Sequence, residues 1–498
     1  MLNPIKSEID RLTVVFAHCG RESNAGNRVY AVAARTLYPH RPAANFEALV
    51  RYPHFGVRER HYSNLTRDAV LSAEAPDRVQ DRLLSFLDKQ PFILLLDPFG
   101  DRKHTAAFCG GPRVVDLSFA AEFLLPQLAS YSPSALWDHL HDSRRRQLSF
   151  SAVEMVSLGE RLLAHLGGEV LNDRRHPESA ALCHYLSQSD TLFGSVLVHL
   201  VKHHRAYFGD LLSPGSETQT PDWRRFLERV KPGRPPTVPE HPFVPLEERH
   251  VEELFSALAA SGQGHQKRPA QVAYAGRIAE AIGRSAILCL EAGTGTGKTL
   301  GYLLPLLGFL ARNPGAQAVI STYTKNLQEQ LFEREWPISR GLLPVFGGIS
   351  AVLLKGKSSY LCAEKLDLLN SSSLTGSARL AWLYLVQLVY HFRHTDVDGI
   401  GEKVRAWLDE RNLLSAMLAE TTAASGCSHR HVHCPAQIVT AEARRARLVV
   451  TNHHKLAVMG GDPTFSGRFR TLVIDEANHF ENAVRSAYQT EVASTELN

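Results

Sequence analysis

The run "ILCLEAGTGTGKTLGYLL", Ile287–Leu304, constrains this chain more than any other stretch. An apolar, strand-forming run gives way to alternating glycine and threonine, and then to Gly-Lys-Thr at the head of an amphipathic pattern. Strand, tight loop and helix are expected in succession. That context suits phosphate, because Gly293, Gly295 and Gly297, with Thr294 and Thr296 between them, let successive backbone N–H groups turn inward. Lys298 is placed to reach the β and γ phosphates and Thr299 to ligate Mg²⁺, while the helix N-terminus adds its positive end. Ala292 stands where the pattern has its first glycine. A ligand-free Gly/Thr turn is the bland alternative, and the complete Gly-Lys-Thr ending argues against it.

Four further segments extend the loop into a larger site. Upstream, "KRPAQVAYAGRIAEAI" offers Gln271 ahead of a helix, an amide whose donor and acceptor suit an adenine edge. Downstream, "AVISTYTKNLQEQLFE" and "LVVTNHHKLA" each read as a strand ending in polar residues, the first a usual surface for a nucleic-acid backbone. Last comes "TLVIDEANHFENA", a buried strand delivering Asp475 and Glu476 at its C-terminal end. Asp475 would hold Mg²⁺ through water, and Glu476 would polarise the attacking water in phosphoryl transfer. An isolated acidic pair after a strand is more often a solvated cap; its place after the Gly-Lys-Thr loop favours chemistry.

Composition sets the outer limits. At 498 residues, with 44% hydrophobic and 21% charged residues, the chain reads as globular and multidomain. A net charge of +4 permits a nucleic-acid partner without demanding one. Seven cysteines are an odd, scattered set, and no apolar run approaches the roughly 18 residues of a membrane span. The expectation is a cytoplasmic, reduced protein with no membrane partner.

The expected fold class is α/β. Residues 1–166 alternate β-rich runs ("RLTVVFAH", "NRVYAVAARTL", "PFILLLD", "PRVVDLS") with helical stretches. Residues 167–245 read as a helical segment, in which His176, His203 and His204 are solvated or packed histidines, followed by a proline-rich linker with a short helix at "WRRFLERV". Residues 246–498 form a second α/β unit.

On "EAGTGTGKTLGYLLP", "ISTYTKNLQEQL", "LLKGKSSYLC", "VVTNHHKL" and "VIDEANHF", the chain resembles the DinG/XPD family of superfamily 2 DNA helicases. The resemblance implies a RecA-like motor domain over 246–498 with a helical arch or iron–sulfur-type insertion at 356–446, in which Trp382 and Trp407 read as core. It implies ATP and Mg²⁺ as cofactors, and 5′ to 3′ movement along single-stranded DNA or DNA with a single-stranded tail. It also implies a second RecA-like domain, supplying arginines across the ATP cleft, which these residues do not contain. The expectation is therefore the front half of a motor that requires a C-terminal motor domain or a protein partner for turnover, an arginine finger being worth about 10³–10⁵ in rate. The alternative is a nucleotide- and DNA-binding adaptor without turnover. The family's DEAH box reads DEAN here, with Asn478 in the place of histidine and His479 beside it.

Where that family places four cysteines around a 4Fe–4S cluster, this chain has Cys362, Cys427 and Cys434. Three thiols fall short of the usual set. One of His429, His431 and His433 could complete a cluster or a zinc site; the favoured reading is a vestigial, metal-free insertion.

Residues 1–166, through "VVFAHCGRESNAGNRVYAVAA", "ILLLDPFGD" and the segments after them, resemble the ribonuclease H-like fold of DEDD 3′–5′ exonucleases. Such nucleases hold two Mg²⁺ ions with four carboxylates. Here the first pair falls on Ala17 and Cys19, the last acid on Phe150 and the general-base histidine on Arg145, leaving Asp101. Sulfur and methyl groups do not bind hard Mg²⁺, so the expectation is an inactive exonuclease-like domain.

Overall fold

The computed structural model describes residues 9–20, 28–141, 149–171, 177–208, 243–261, 266–293, 295–370, 374–391, 396–423, 434–461, 469 and 471–489. The chain divides into two compact units, Met1–Arg229 with Leu361–Thr422, and Val230–Tyr360 with Ala423–Asn498. The expected linker helix at "WRRFLERV" lies outside the described residues.

The first unit is built on strands β1 (Leu12–Cys19), β2 (Val29–Tyr38), β3 (Arg41–Leu49), β4 (Phe92–Leu95) and β5 (Arg113–Asp116), ordered β3-β2-β1-β4-β5. β2 runs antiparallel to β1 and β3, whereas β4 is parallel to both β1 and β5. Central β1 is mostly apolar and buried almost throughout because both of its faces are covered. Leu12, Val14 and Phe16 point into one core; Val15 and Ala17 point into the other. That is the two-residue period of a strand.

The helix Pro76–Leu87 closes the second core with Val79, Leu83 and Leu87. On the first core lies the helix Ala152–His165, started by a capping box between Ser151 and Glu154. Gly159 in this helix sits so close to β1 that a Cβ would come 2.8 Å from Val14 Cγ1. The helices Pro177–Gln188 and Leu192–Phe208 join the same core, so the compact unit extends beyond residue 166.

The insertion also belongs to this unit. Leu361 pairs with Thr422 in an antiparallel bridge, and the Cys362 N–H donates to Thr421 O at 2.6 Å, so the segment leaves and returns at one point. Its helices Gly376–His391 and Glu402–Asp409 pack into the first core. Trp382 is fully buried and donates its indole N–H to Leu366 O at 2.8 Å, as expected of core. Trp407 is half-buried, 5.5 Å from Phe119. Glu122 is buried and its carboxylate accepts the N–H of Val404, at the start of the 402–409 helix, at 2.7 Å. The segment that clusters apart from the second unit is Leu361–Thr422, shorter than the expected 356–446 insertion, and it packs as a layer of the first unit.

The second unit carries an all-parallel sheet of β6 (Ala318–Thr322), β7 (Ala351–Leu354), β8 (Leu448–Asn452) and β9 (Thr471–Ile474), ordered β7-β8-β6-β9. β6 is buried throughout, as is β8 up to Thr451, in keeping with central parallel strands. The helix Lys298–Arg312 is apolar along most of its length, burying Leu303, Leu304, Leu306, Leu307 and Leu310 with Ile320 and Val450. Two expectations are corrected here. β9 is an edge strand with Leu472 exposed, not a buried one. Residues 286–292, expected as the strand before the phosphate loop, join no ladder; Ile287 is fully exposed, and Leu288 and Leu290 are exposed too. A strand needs a hydrogen-bonding neighbour, and none of the described residues supplies one to this run.

Candidate nucleotide-binding site

The phosphate loop takes the shape its glycines allow. Gly295 and Gly297 have φ of 76° and 78°, in the left-handed region, and Gly297 caps the helix that begins at Lys298. The loop is held from behind by the N-terminal end of the helix Pro269–Gly283. Arg268 Nη1 donates to Gly295 O at 2.9 Å and Gln271 Nε2 to Gly297 O at 2.7 Å. Thr296 Oγ1 closes the turn on Gly293 O at 2.9 Å. With these carbonyls tied outward, the donors of the helix start remain for an anion. Lys298 is half-buried and makes no ion pair among the described residues. Thr294 lies outside them.

Gln271, expected at an adenine edge, is buried and commits its amide N–H to the loop. In this arrangement it braces the Gly297 end of the loop.

The acidic pair lies against the same helix. Asp475 follows β9 and its N–H continues the ladder to Ser321 O at 2.9 Å. Its Oδ2 accepts the hydroxyl of Tyr302 at 3.0 Å, and its Oδ1 accepts the N–H of Glu476 at 3.0 Å. Tyr302 lies one turn beyond Lys298 on the same helix. Burial and the Asp475 charge push the phenol well above its usual range, so it stays a protonated donor. Lys298, Thr299 and Asp475 are thereby brought to one locality. Glu476 is exposed, with φ of 56°, and Ala477–His479 form a single 3-10 turn after it.

Beside this lies an aromatic and imidazole group. Ser321 Oγ and His453 Nδ1 are 2.7 Å apart, burial lowers the pKa of His453, and Tyr323 stacks on His479 with ring centroids at 4.0 Å. In the KGK segment, buried Lys355 is paired with Glu329 at 2.7 Å.

Cys362 and Cys434 are fully buried; Cys427 and the histidines near it lie outside the described residues. In the first unit Ala17 and Phe150 are buried, and Cys19 Sγ lies 4.0 Å from Thr105 Oγ1. Burial, reinforced by the Asp101 charge, pushes the Cys19 thiol far up, so it stays protonated. His18 Nε2–H donates to Phe150 O at 2.8 Å, and burial lowers its pKa to about 4. His204 is buried against Ala164 O, and His203 is exposed. Arg145 and His176 lie outside the described residues.

A Gly-Lys-Thr loop tied to a strand-end aspartate on a parallel sheet defines a P-loop nucleotide-binding domain. The family profile that matches is that of the DEAD/DEAH box helicases, over residues 268–362. The curated relatives the chain resembles bear the names DinG and YoaA. It is 29% identical over 260 residues to the ATP-dependent DNA helicase YoaA of Haemophilus influenzae, covering 50% of this chain and 39% of the relative. It is 30% identical over 247 residues to the 3′-5′ exonuclease DinG of Bacillus subtilis, covering 46% and 24%. With the ATP-dependent helicase DinG of Mycobacterium tuberculosis it shares 29% identity over 273 residues, covering 50% and 39%. The chain thus spans well under half the length of these curated relatives. The family profile and the curated relatives agree with the resemblance carried by the sequence motifs.

Arg268 and Tyr302 escaped the sequence reading. The only signal for Tyr302 was its spacing from Lys298, and in an apolar helix such a residue reads as core.

Proposed function

We propose that the chain binds ATP with Mg²⁺ through Lys298, Thr299 and Asp475, and that it is the nucleotide-binding part of a DinG-type DNA helicase moving 5′ to 3′ on single-stranded DNA. The observation that carries this reading is the bond from Tyr302 to Asp475, which ties the strand-end acid to the helix that Lys298 begins. When bound, Mg²⁺ would neutralise charge on the β and γ phosphates; Glu476 is exposed beside Asp475, where a water nucleophile can be polarised. Hydrolysis awaits arginines from a second motor domain, which the greater length of the relatives leaves room for. The front unit is read as an exonuclease-type, ribonuclease H-like fold without its acids. Its sheet order supports this, as does the name of the Bacillus subtilis relative.

The test is DNA-stimulated ATP hydrolysis by the chain joined to a second motor domain, with Lys298→Ala as control. A rate that ignores DNA, or that survives in Lys298→Ala, would rule the motor out. The adaptor reading, nucleotide binding without turnover, draws on the unpaired run at 286–292, which leaves the loop without a strand to anchor it. Binding with no hydrolysis under any DNA or partner condition would favour it.

A further inference from the structure

We propose that Tyr302 is a positioning residue for the metal–nucleotide site: its hydroxyl, one helical turn beyond Lys298, donates to Asp475 and fixes the carboxylate that the divalent cation must meet. The proposal rests on the nucleotide-binding reading above and deepens it.

A phenol buried to 2% exposure needs a hydrogen-bond partner, but the choice of partner matters. Tyr302 takes neither a backbone carbonyl nor a neutral side chain. It donates to Oδ2 of Asp475 at 3.0 Å, so the helix that begins at Lys298 and carries Thr299, expected to serve Mg²⁺ directly, also holds the carboxylate expected to serve it through water.

The other carboxylate oxygen accepts the N–H of Glu476 at 3.0 Å. With one donor on each oxygen the carboxylate plane is fixed, and each oxygen keeps a lone pair for a metal-bound water. Partners of this kind orient the groups that serve a metal and tune its affinity. Packing alone does not require the hydroxyl, since phenylalanine would fill the same apolar space. Tyr274, the neighbouring phenol, lies against Gly301, where an added Cβ would come 2.8 Å from its ring, and it has no hydrogen bond to Asp475 among those described.

The experiment is Mn²⁺ binding in the presence of ADP, followed by electron paramagnetic resonance, on the full chain and on Tyr302→Phe, with Tyr274→Phe as control. Mn²⁺ affinity should fall about tenfold in Tyr302→Phe and stay unchanged in Tyr274→Phe. ADP affinity in EDTA should be the same for all three proteins. In a cycle with Asp475→Asn, adding Tyr302→Phe should cost nothing more. Unchanged Mn²⁺ affinity in Tyr302→Phe overturns the proposal. So does an equal loss with and without metal, which marks a packing role, or a full further loss in the Asp475→Asn background. A wild-type chain that binds neither ADP nor Mn²⁺ with ADP would instead remove the nucleotide-binding reading itself.

Discussion

The glycines of the phosphate loop are not equivalent, and alanine substitutions should separate them. Gly295 and Gly297 have nearly the same φ, 76° and 78°. An alanine in that region is strained by about 1–2 kcal/mol. At Gly295 nothing lies within 4 Å of an added Cβ, so strain is the whole cost. At Gly297 the same Cβ would meet Gln271 Nε2 at 2.2 Å. Gln271 is buried and its amide is bound to Gly297 O, so relieving the clash also gives up that hydrogen bond, about another 1 kcal/mol. An empty loop can relax; binding must restore the strained shape, so the cost appears as lost affinity. Titrating a fluorescent ADP analogue with Mg²⁺ should therefore show about 5–30-fold weaker binding for Gly295→Ala and about 30–150-fold for Gly297→Ala. Gln271→Ala alone should cost about fivefold, but less than twofold when added to Gly297→Ala, because the amide bond is already gone. Equal losses at the two glycines, with Gln271→Ala fully additive to both, would refute the reasoning.

Three further outcomes follow from the same kind of argument. His18 has a folded-state pKa of about 4 against 6.5 unfolded, so below pH 6.5 the unfolded chain takes up a proton that the folded one refuses. The front unit should lose about 3 kcal/mol as pH falls from about 6.5 to about 4, and urea unfolding of His18→Gln should lack that part of the slope; a slope unchanged by the substitution contradicts it. Glu122→Ala leaves the buried Val404 N–H without an acceptor and should cost about 2 kcal/mol, whereas Glu122→Gln keeps an acceptor and should cost less; equal denaturation midpoints for the two would count against the docking described for the 402–409 helix. Cys289 is exposed in the unpaired run, while Cys109, Cys362 and Cys434 are buried, so a maleimide should label Cys289 well before those three, as peptide mapping would reveal.

Much of this architecture is legible in sequence because it is local. Runs such as "LTVVFAHC" and "AVIST" have the apolar continuity of covered parallel or central strands, and they fold as such. β3, "RPAANFEAL", went unread because it is a largely exposed edge whose pairing comes from β2 rather than from its own composition. The run at 286–292 fails in the opposite sense: its composition favours a strand, but no neighbour pairs with it. The insertion was misassigned because its burial depends on contacts such as Glu122 to Val404, 282 residues apart, which no local pattern encodes. In the candidate site, Lys298, Thr299 and Asp475 can be nominated from sequence because they stand at the start of a helix and the end of a strand. Arg268 and Gln271 act on carbonyls, and Tyr302 acts on another side chain. Only coordinates expose such roles.

The carboxylates of the front unit bear on whether it could cut nucleic acid. Asp97 is buried and accepts the N–H groups of Asp101 at 2.8 Å and Arg102 at 3.1 Å. Asp116 accepts those of Ser118 and Phe119 at 2.8 and 3.1 Å, and the ammonium of Lys403 lies 3.3 Å from its other oxygen. Burial raises the pKa of Asp116, with Lys403 opposing the shift. Glu122 is spent on the helix that carries Lys403. A divalent cation at Asp97 or Asp116 would have to displace these donors and face the lysine charge at short range, so these acids serve as helix caps and as anchors for the insertion. Asp101 remains, at the start of the helix Arg102–Phe108, beside a protonated thiol at Cys19 and an apolar Ala17. One acid cannot hold two metal ions. An aspartate placed at Cys19 would enter a largely buried site facing the charges of Asp101 and Asp97, which would raise its own pKa. Among the described residues of this unit, Asp97 and Asp116 hold helix starts and Glu122 holds the inserted 402–409 helix.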